Sequence, residues 1–322
     1  MSKPSIFVTR RWAAPAEAAL SEHFDVTFNE ADAPLSKEAL IEGFASHDMA
    51  APTVSDRIDA DIIAAAAGGK CRLIANYGVG VNHIDLEAAA AHDLRVSNTP
   101  GVLTDATADL TLTLMLMLSR RAGEGEREVR AGNWAGWRPT HLVGRSMTGK
   151  RLGIIGMGRI GKAVAHRAHF GFGMDILFYN RSTIADGAGV NGRQVDSVAE
   201  LCANSDYVSL HCAAAPETVN ILDAAAIAAM SPDAYVINTA RGDVVDEDAL
   251  AAALTSGAIG GAGLDVYQGE PAINPAILAA PNTVLLPHLG SATAEARVAM
   301  GMKVVENACA FAAGNPLIDQ VV

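Results

Sequence analysis

An α/β protein of two doubly wound, parallel-sheet domains is the fold class that three features of the sequence predict. Short β runs alternate with helical stretches in the first hundred residues, and a second alternation of the same kind begins at residue 151. Alternating strands and helices imply a mostly parallel sheet in each series. Between the two lies a segment of different character, 123–149, polar, rich in glycine and holding two of the three tryptophans. The chain's 322 residues are enough for two separate cores.

The elements follow in order. SIFVTR (5–10) precedes an Ala-rich helix over 13–23, FDVTFN (24–29) precedes a helix over 36–44, and RLIANY (72–77) precedes one over 85–91. RVSN (95–98) closes the series, and a long apolar helix over about 104–120 follows, with Thr104-Asp105 as its N-cap pair. The second series runs RLGIIG, ILFYN, YVSLHC, AYVINTA, GAGLDVY and TVLLPH. The tail from 291 is helical, and its return to the first series makes that domain discontinuous, 1–100 plus 290–322 against 101–289.

Composition removes several function classes. A net charge of −12 argues against a nucleic-acid or anionic-membrane partner, since both need a basic patch. It also requires any site for an anionic substrate to be made positive locally. Cys71, Cys202, Cys212 and Cys309 are scattered without ligand-like spacing, which reads as reduced thiols in a cytoplasmic protein with no metal site. The N-terminal MSKPSIFVTRRW lacks the apolar core of a signal peptide. LTLTLMLML (110–118) is too short to span a bilayer.

RLGIIGMGRIGKAVA holds Gly156-x-Gly158-x-x-Gly161 between a strand and a helix, the context that turns a weak motif into a Rossmann-like dinucleotide site. Gly156 permits the tight turn, Gly158 lets the backbone approach a pyrophosphate, and Gly161 allows close helix–strand packing. The helix start, at Arg159 and Ile160, presents N–H groups to the phosphates. The next strand ends at Asn180-Arg181-Ser182, where an NAD site would carry Asp or Glu. Asp175 stands at the opposite end of that strand. A guanidinium beside a hydroxyl suits the 2′-phosphate of NADP(H), so NADP(H) is the preferred cofactor, with NAD(H) as the other one the fold admits. Arg181 as a merely solvated loop residue is the alternative.

Ligands of an open α/β sheet sit beyond the carboxyl ends of its strands. The strands of the second series deliver His211, Arg241, Asp265 with Glu270 just beyond, and His288. Five ionisable side chains on one rim mark it as a catalytic edge.

With those residues in view the chain resembles the D-isomer-specific 2-hydroxyacid dehydrogenase family, and within it the glyoxylate/hydroxypyruvate reductases. Six segments carry the resemblance: NYGVGVNHID (76–85), NTPGVLTDATADL (98–110), GIIGMGRIGKAVA (153–165), NTARGDVVDEDAL (238–250), GLDVYQGEP (263–271) and LPHLGSAT (286–293). It implies two doubly wound domains of Rossmann-like and flavodoxin-like kind. Residues 1–100 with 290–322 would bind substrate, and 101–289 would bind the dinucleotide and include a dimerisation arm at about 120–149.

Roles follow from the resemblance. Arg241 would bind the carboxylate and polarise the C2 carbonyl of a 2-oxo acid. His288 would give a proton to that oxygen, with Glu270 on the other imidazole nitrogen keeping the ring protonated and oriented. Val79 and Gly80 would add backbone N–H groups to the carboxylate. Asp265, Thr239 and Ala240 would hold the nicotinamide carboxamide, and Thr107 would lie near the phosphates. His211, Cys212 and Gly290 would line the cofactor, and Met49 would border the substrate. Trp137, in GWRP (136–139), would reach the neighbouring subunit's pocket in a homodimer, with plain interface or core packing as its alternative. Formate dehydrogenases of the superfamily carry Gln at the place of Glu270, which disfavours formate oxidation. The small 2-oxo/2-hydroxy acids glyoxylate and hydroxypyruvate are the default substrates, and larger 2-oxo acids stay open. A dinucleotide-sensing regulator of the same fold, or a dehydrogenase of another small anion, is the competing function.

Overall fold

The computed structural model describes residues 3–184 and 187–322. The chain divides into two compact units, one running to Leu103 and resuming over Ala292–Val322, the other spanning Thr104–Ser291. The first opens with β1 (Ser5–Val8), α1 (Ala14–His23), β2 (Asp25–Phe28), α2 (Lys37–Ser46), β3 (Met49–Ala51), α3 (Ala60–Gly68), β4 (Leu73–Ala75), α4 (Leu86–Ala91) and β5 (Arg95–Ser97). Its five strands form a sheet in the order β2-β1-β3-β4-β5, every pair parallel. The side chains of Ser36, Asp59 and Asp85 accept from the N–H three residues on and so start α2, α3 and α4. Each such cap is worth ~1 kcal/mol.

β3 and α3 are elements that the sequence analysis did not anticipate. Three apolar residues are too few for a periodicity signal, and Met49 is the residue that the resemblance places at the border of the substrate. It opens β3 instead, paired with Ile6 and Leu73 and fully buried among Ile6, Leu20 and Leu73. A central strand of a parallel sheet is covered on both faces, so Met49 packs the core and presents no surface to a substrate.

The second unit runs α5 (Thr104–Ser119), α6 (Ala122–Arg130), β6 (Arg151–Ile155), α7 (Arg159–Phe172), β7 (Asp175–Tyr179), β8 (Arg193–Gln194), α8 (Val198–Ala203) and β9 (Tyr207–Leu210). It continues with α9 (Ala224–Ala228), β10 (Tyr235–Asn238), α10 (Glu247–Ser256), β11 (Gly261–Leu264), α11 (Pro275–Ala279) and β12 (Thr283–Leu285). The seven strands lie in the order β12-β11-β10-β9-β6-β7-β8, all parallel. β9, β10 and β11 are buried at every residue, so they lack the polar alternation of a half-exposed strand. One core lies around Leu210, Val236 and Leu250, another around Leu114, Ile154 and Val164.

The expected N-cap pair of α5 has a different task. Thr104 is already helical, and Asp105 pairs with Arg167 of α7 at 2.8 Å, with Asp109 one turn on at 2.7 Å. α6 buries none of its residues and carries the Arg121–Glu124 and Arg130–Glu126 ion pairs, as a solvated face should. The last helix, α12 (Ala294–Ala312), belongs to the first unit. Thr293 caps it, and a Cβ at Gly301 would strike Ala16 of α1, so the two helices meet closely there. No helix among the described residues is long and apolar enough to cross a membrane.

Candidate active site

Strand register puts the ends of five strands of the second unit side by side. Asn238 pairs with Leu210 and Leu264, Leu264 with Leu285, and Leu210 with Ile155. The residues just beyond them, Gly156, His211, Thr239, Asp265 and Leu286, therefore share one rim. The strand order reverses between β6 and β9, the switch point where such sheets open a crevice for ligands.

His288 and Glu270 meet on this rim. Imidazole Nδ1 lies 2.8 Å from Glu270 Oε2, and both side chains are about a third exposed, 30% and 32%. A carboxylate only accepts, so Nδ1 carries hydrogen and Nε2 is the nitrogen left for chemistry. Glu270 Oε1 accepts from Tyr267 N–H at 2.8 Å, which fixes the carboxylate to the turn beyond β11. Burial works against its charge, but the His288 hydrogen bond, the Tyr267 N–H and the Arg241 cation outweigh it. Its carboxyl is held below the ordinary value.

The backbone at His288 is left-handed, φ +57°. For a residue with a Cβ this costs ~1–3 kcal/mol and persists only where surrounding bonds impose it. Asp265 imposes it. His288 N–H donates to its carbonyl at 2.9 Å, Leu289 N–H to Oδ1 at 2.7 Å and Gly290 N–H to Oδ2 at 2.8 Å. Asp265 is fully buried, and burial raises its carboxyl despite those N–H groups and His288. Thr107 of α5 adds a further tie, donating to Gly290 O at 3.0 Å. Asp265 and Thr107 thus hold the turn that aims the imidazole.

Arg241 stands beyond β10. Asn238 shapes its turn, donating from Nδ2 to Arg241 O at 2.7 Å and accepting Ala240 N–H on Oδ1 at 3.0 Å. Burial lowers the guanidinium from its ordinary value, and the carboxylates of Glu270 and Asp243 oppose that. Arginine stays a cation through shifts of this kind, so a positive charge faces Glu270 within an acidic protein. Thr239 is buried, with its hydroxyl 3.0 Å from that of Thr111 on α5.

His211 departs from the expected row of ionisable groups. Its Nε2 turns back to Ser209 Oγ at 2.8 Å, while Nδ1 is buried without a hydrogen-bond partner among the described residues. Burial pushes its pKa down to about 3, so the ring is neutral and outside acid–base work near pH 7. Cys212 beside it is likewise pushed up, to about 11.

The glycine loop fits a dinucleotide pyrophosphate. Gly156 has φ +96°, and a Cβ there would lie 2.6 Å from Cys212 N. At Gly161 a Cβ would collide with Gly156 O. Protein contacts thus demand those two glycines. Gly158 is different: a Cβ there would meet nothing within 4 Å, so it is the protein's own packing that leaves space at the start of α7. That helix has no side-chain cap and no acidic residue in its first turn, and Arg159 and the half-exposed Ile160 begin it. An anion is what such a terminus attracts.

Asn180 ties this loop to β7, accepting Met157 N–H on Oδ1 at 3.2 Å and donating from Nδ2 to Ser182 O and Oγ at 3.0 Å. Arg181 points into solvent, 87% exposed, and pairs with Glu217 at 2.7 Å. Exposed pairs of this kind contribute ~0.2–1 kcal/mol.

Val79 and Gly80 lie half-exposed in the loop after β4, braced by Asn76, which donates to Gly78 O and Gly80 O at 3.0 Å. Trp137 is 82% exposed and Trp134 54%. Sequence reasoning missed Asn238, Thr111, Tyr267 and Glu217. Asn238 left a signal, a polar residue closing the buried strand YVIN. Thr111 and Glu217 act through partners distant in the chain and left none, and Tyr267 acts through its backbone N–H, which any residue type but proline supplies. Among the described residues no cluster of three or more His, Cys, Asp or Glu could hold a metal.

Residues 112–290 match the model of the D-isomer specific 2-hydroxyacid dehydrogenase NAD-binding domain. The chain is 39% identical over 316 residues to a glyoxylate reductase of Thermococcus litoralis, covering 97% of this chain and 95% of that one. A D-isomer specific 2-hydroxyacid dehydrogenase structure from a Polaromonas species superposes with a TM-score of 0.92 at 37% identity, over 99% of this chain and all of that one. An NADPH-dependent glyoxylate/hydroxypyruvate reductase of Sinorhizobium meliloti, solved with NADP and malonate, gives 0.87 at 31% identity, over 100% and 97% of the two chains. The rim of strand ends, the glycine loop between β6 and α7, and likeness over nearly the whole length agree: the chain belongs to the D-isomer specific 2-hydroxyacid dehydrogenase family, on its glyoxylate reductase branch.

Proposed function

We propose that this protein is an NADPH-preferring reductase of small 2-oxo acids, of glyoxylate and hydroxypyruvate type, yielding D-2-hydroxy acids. Its class, an NAD(P)-dependent 2-hydroxyacid dehydrogenase, follows from the family. The observation that carries the chemistry is the His288–Glu270 hydrogen bond on the same rim as Arg241. A bound nicotinamide supplies or takes the hydride at C2. Arg241 binds the carboxylate and draws electron density toward the carbonyl oxygen, and a planar guanidinium does this in two-pronged fashion. His288 Nε2–H delivers the proton that the developing alkoxide needs, and takes it back in oxidation. Glu270 sets the tautomer, and Asp265 holds the backbone that aims the ring. Thr239 and Ala240 would hold the nicotinamide carboxamide. Arg181 and Ser182 receive the adenosine 2′-phosphate.

The NADP complex of the Sinorhizobium relative supports the cofactor choice, as does Asn180-Arg181 in place of an acidic residue. The test is NADPH and NADH oxidation with glyoxylate, hydroxypyruvate and larger 2-oxo acids. Higher kcat/KM is expected with NADPH, and Arg181→Asp should reverse or erase that preference. Tight NADPH binding without turnover of any 2-oxo acid would overturn the enzymatic reading, and equal use of both cofactors the NADP preference.

A further inference from the structure

We infer that Glu217 sets how sharply the protein discriminates NADPH from NADH, by competing with the adenosine 2′-phosphate for the guanidinium of Arg181. This rests on the proposed role of Arg181 as phosphate ligand.

The pair bridges two loops that are each held by their own bonds. On one side, Asn180 bonds Ser182, and Gln194 Nε2 donates to Asn180 O at 3.1 Å and to Ser182 O at 3.2 Å. On the other, Glu217 sits in the 3-10 turn Pro216–Thr218, where Thr218 Oγ1 accepts Ala215 N–H at 2.8 Å and lies 2.7 Å from Ala213 O. The loops follow β7 and β9, which flank β6 and its phosphate loop. So the 2.7 Å Arg181–Glu217 bridge joins the two sides of the strand that carries the pyrophosphate turn.

Both side chains are mostly exposed, 87% and 55%, so the bridge can open without disturbing the core. A 2′-phosphate must draw the guanidinium from a carboxylate, and the carboxylate's charge repels the phosphate while it stays near. The 2′-hydroxyl of NADH is neutral and leaves the bridge intact. Glu217 therefore weighs against NADPH only, and the chain keeps some use of NADH.

The experiment compares Kd by fluorescence titration, and kcat/KM, with NADPH and with NADH for the wild type, Glu217→Gln, Arg181→Ala and the double variant. Glu217→Gln should raise the NADPH/NADH ratio about two- to fivefold, the range of an exposed ion pair, mainly through a lower KM for NADPH. The double variant should show the ratio of Arg181→Ala alone. If Arg181→Ala leaves the ratio at the wild-type value, the phosphate-ligand reading itself fails. If Arg181→Ala lowers the ratio but Glu217→Gln leaves it unchanged or lowers it, the role of Glu217 alone fails. An equal rise in the double variant would assign the effect to charge at a distance and overturn the competition.

Discussion

His288 combines a strained backbone with an oriented ring, and both come from residues far along the chain. Asp265 supplies the three acceptors that hold the 288–290 turn, and Glu270 fixes Nδ1. With proton delivery assigned to Nε2, His288→Gln should lower kcat by about 10²- to 10⁴-fold at little cost in Tm. Arg241→Ala should raise KM for the 2-oxo acid and lower kcat together. Arg241→Lys should rescue little, since an ammonium lacks the planar fork. Near-normal turnover by His288→Gln would move the proton donor elsewhere. Glu270 brings a pH dependence of known sign. Its folded-state carboxyl is below the ordinary value, so the stability it contributes is present above the ordinary carboxylate range. It is lost as pH falls through the lowered value.

At the scale of elements, the turn from β6 into α7 separates glycines that the fold demands from one that it does not. A Cβ at Gly156 or Gly161 meets backbone, whereas one at Gly158 meets nothing within 4 Å. Gly158→Ala should therefore fold with a Tm close to wild type yet bind NADPH at least about tenfold more weakly, if the methyl displaces the pyrophosphate by a fraction of an ångström. Gly161→Ala should lose stability first. Calorimetry for Tm with fluorescence titration of NADPH distinguishes the two, and undiminished NADPH binding by Gly158→Ala would refute the assigned pyrophosphate position.

For the whole molecule, the end of α6 and the segment after it raise the question of assembly. Val129, Trp134, Trp137 and Val143 are all more than half exposed within some fifteen residues, on a chain whose other large apolar groups are mostly buried. Exposed aromatics gathered in one segment mark an interaction surface. We propose a homodimer formed through this arm, with Trp137 at the partner's substrate pocket. Sedimentation velocity should show a dimer at micromolar protein, and Trp134→Ser with Trp137→Ser should weaken it about thirtyfold or more, the effect of losing an interfacial hot spot. A monomer at every concentration would end the proposal.

Much of this was legible in the chain itself. The parallel sheets, the phosphate turn and the strand-end positions of Arg241, Asp265 and His288 follow from apolar runs punctuated by glycine and polar residues, because parallel strands are buried on both faces and their ends are not. Local patterns of that kind determined the fold class, and the resemblance carried by six motif segments pointed to the family. The short β3, the left-handed His288, the inward turn of His211 and the Arg181–Glu217 bridge were decided only by tertiary structure. β3, the His288 turn and the Arg181–Glu217 bridge depend on partners that the fold brings across from another strand or loop, and the His211 ring turns back along its own strand because the fold buries it; neither leaves a period in the sequence.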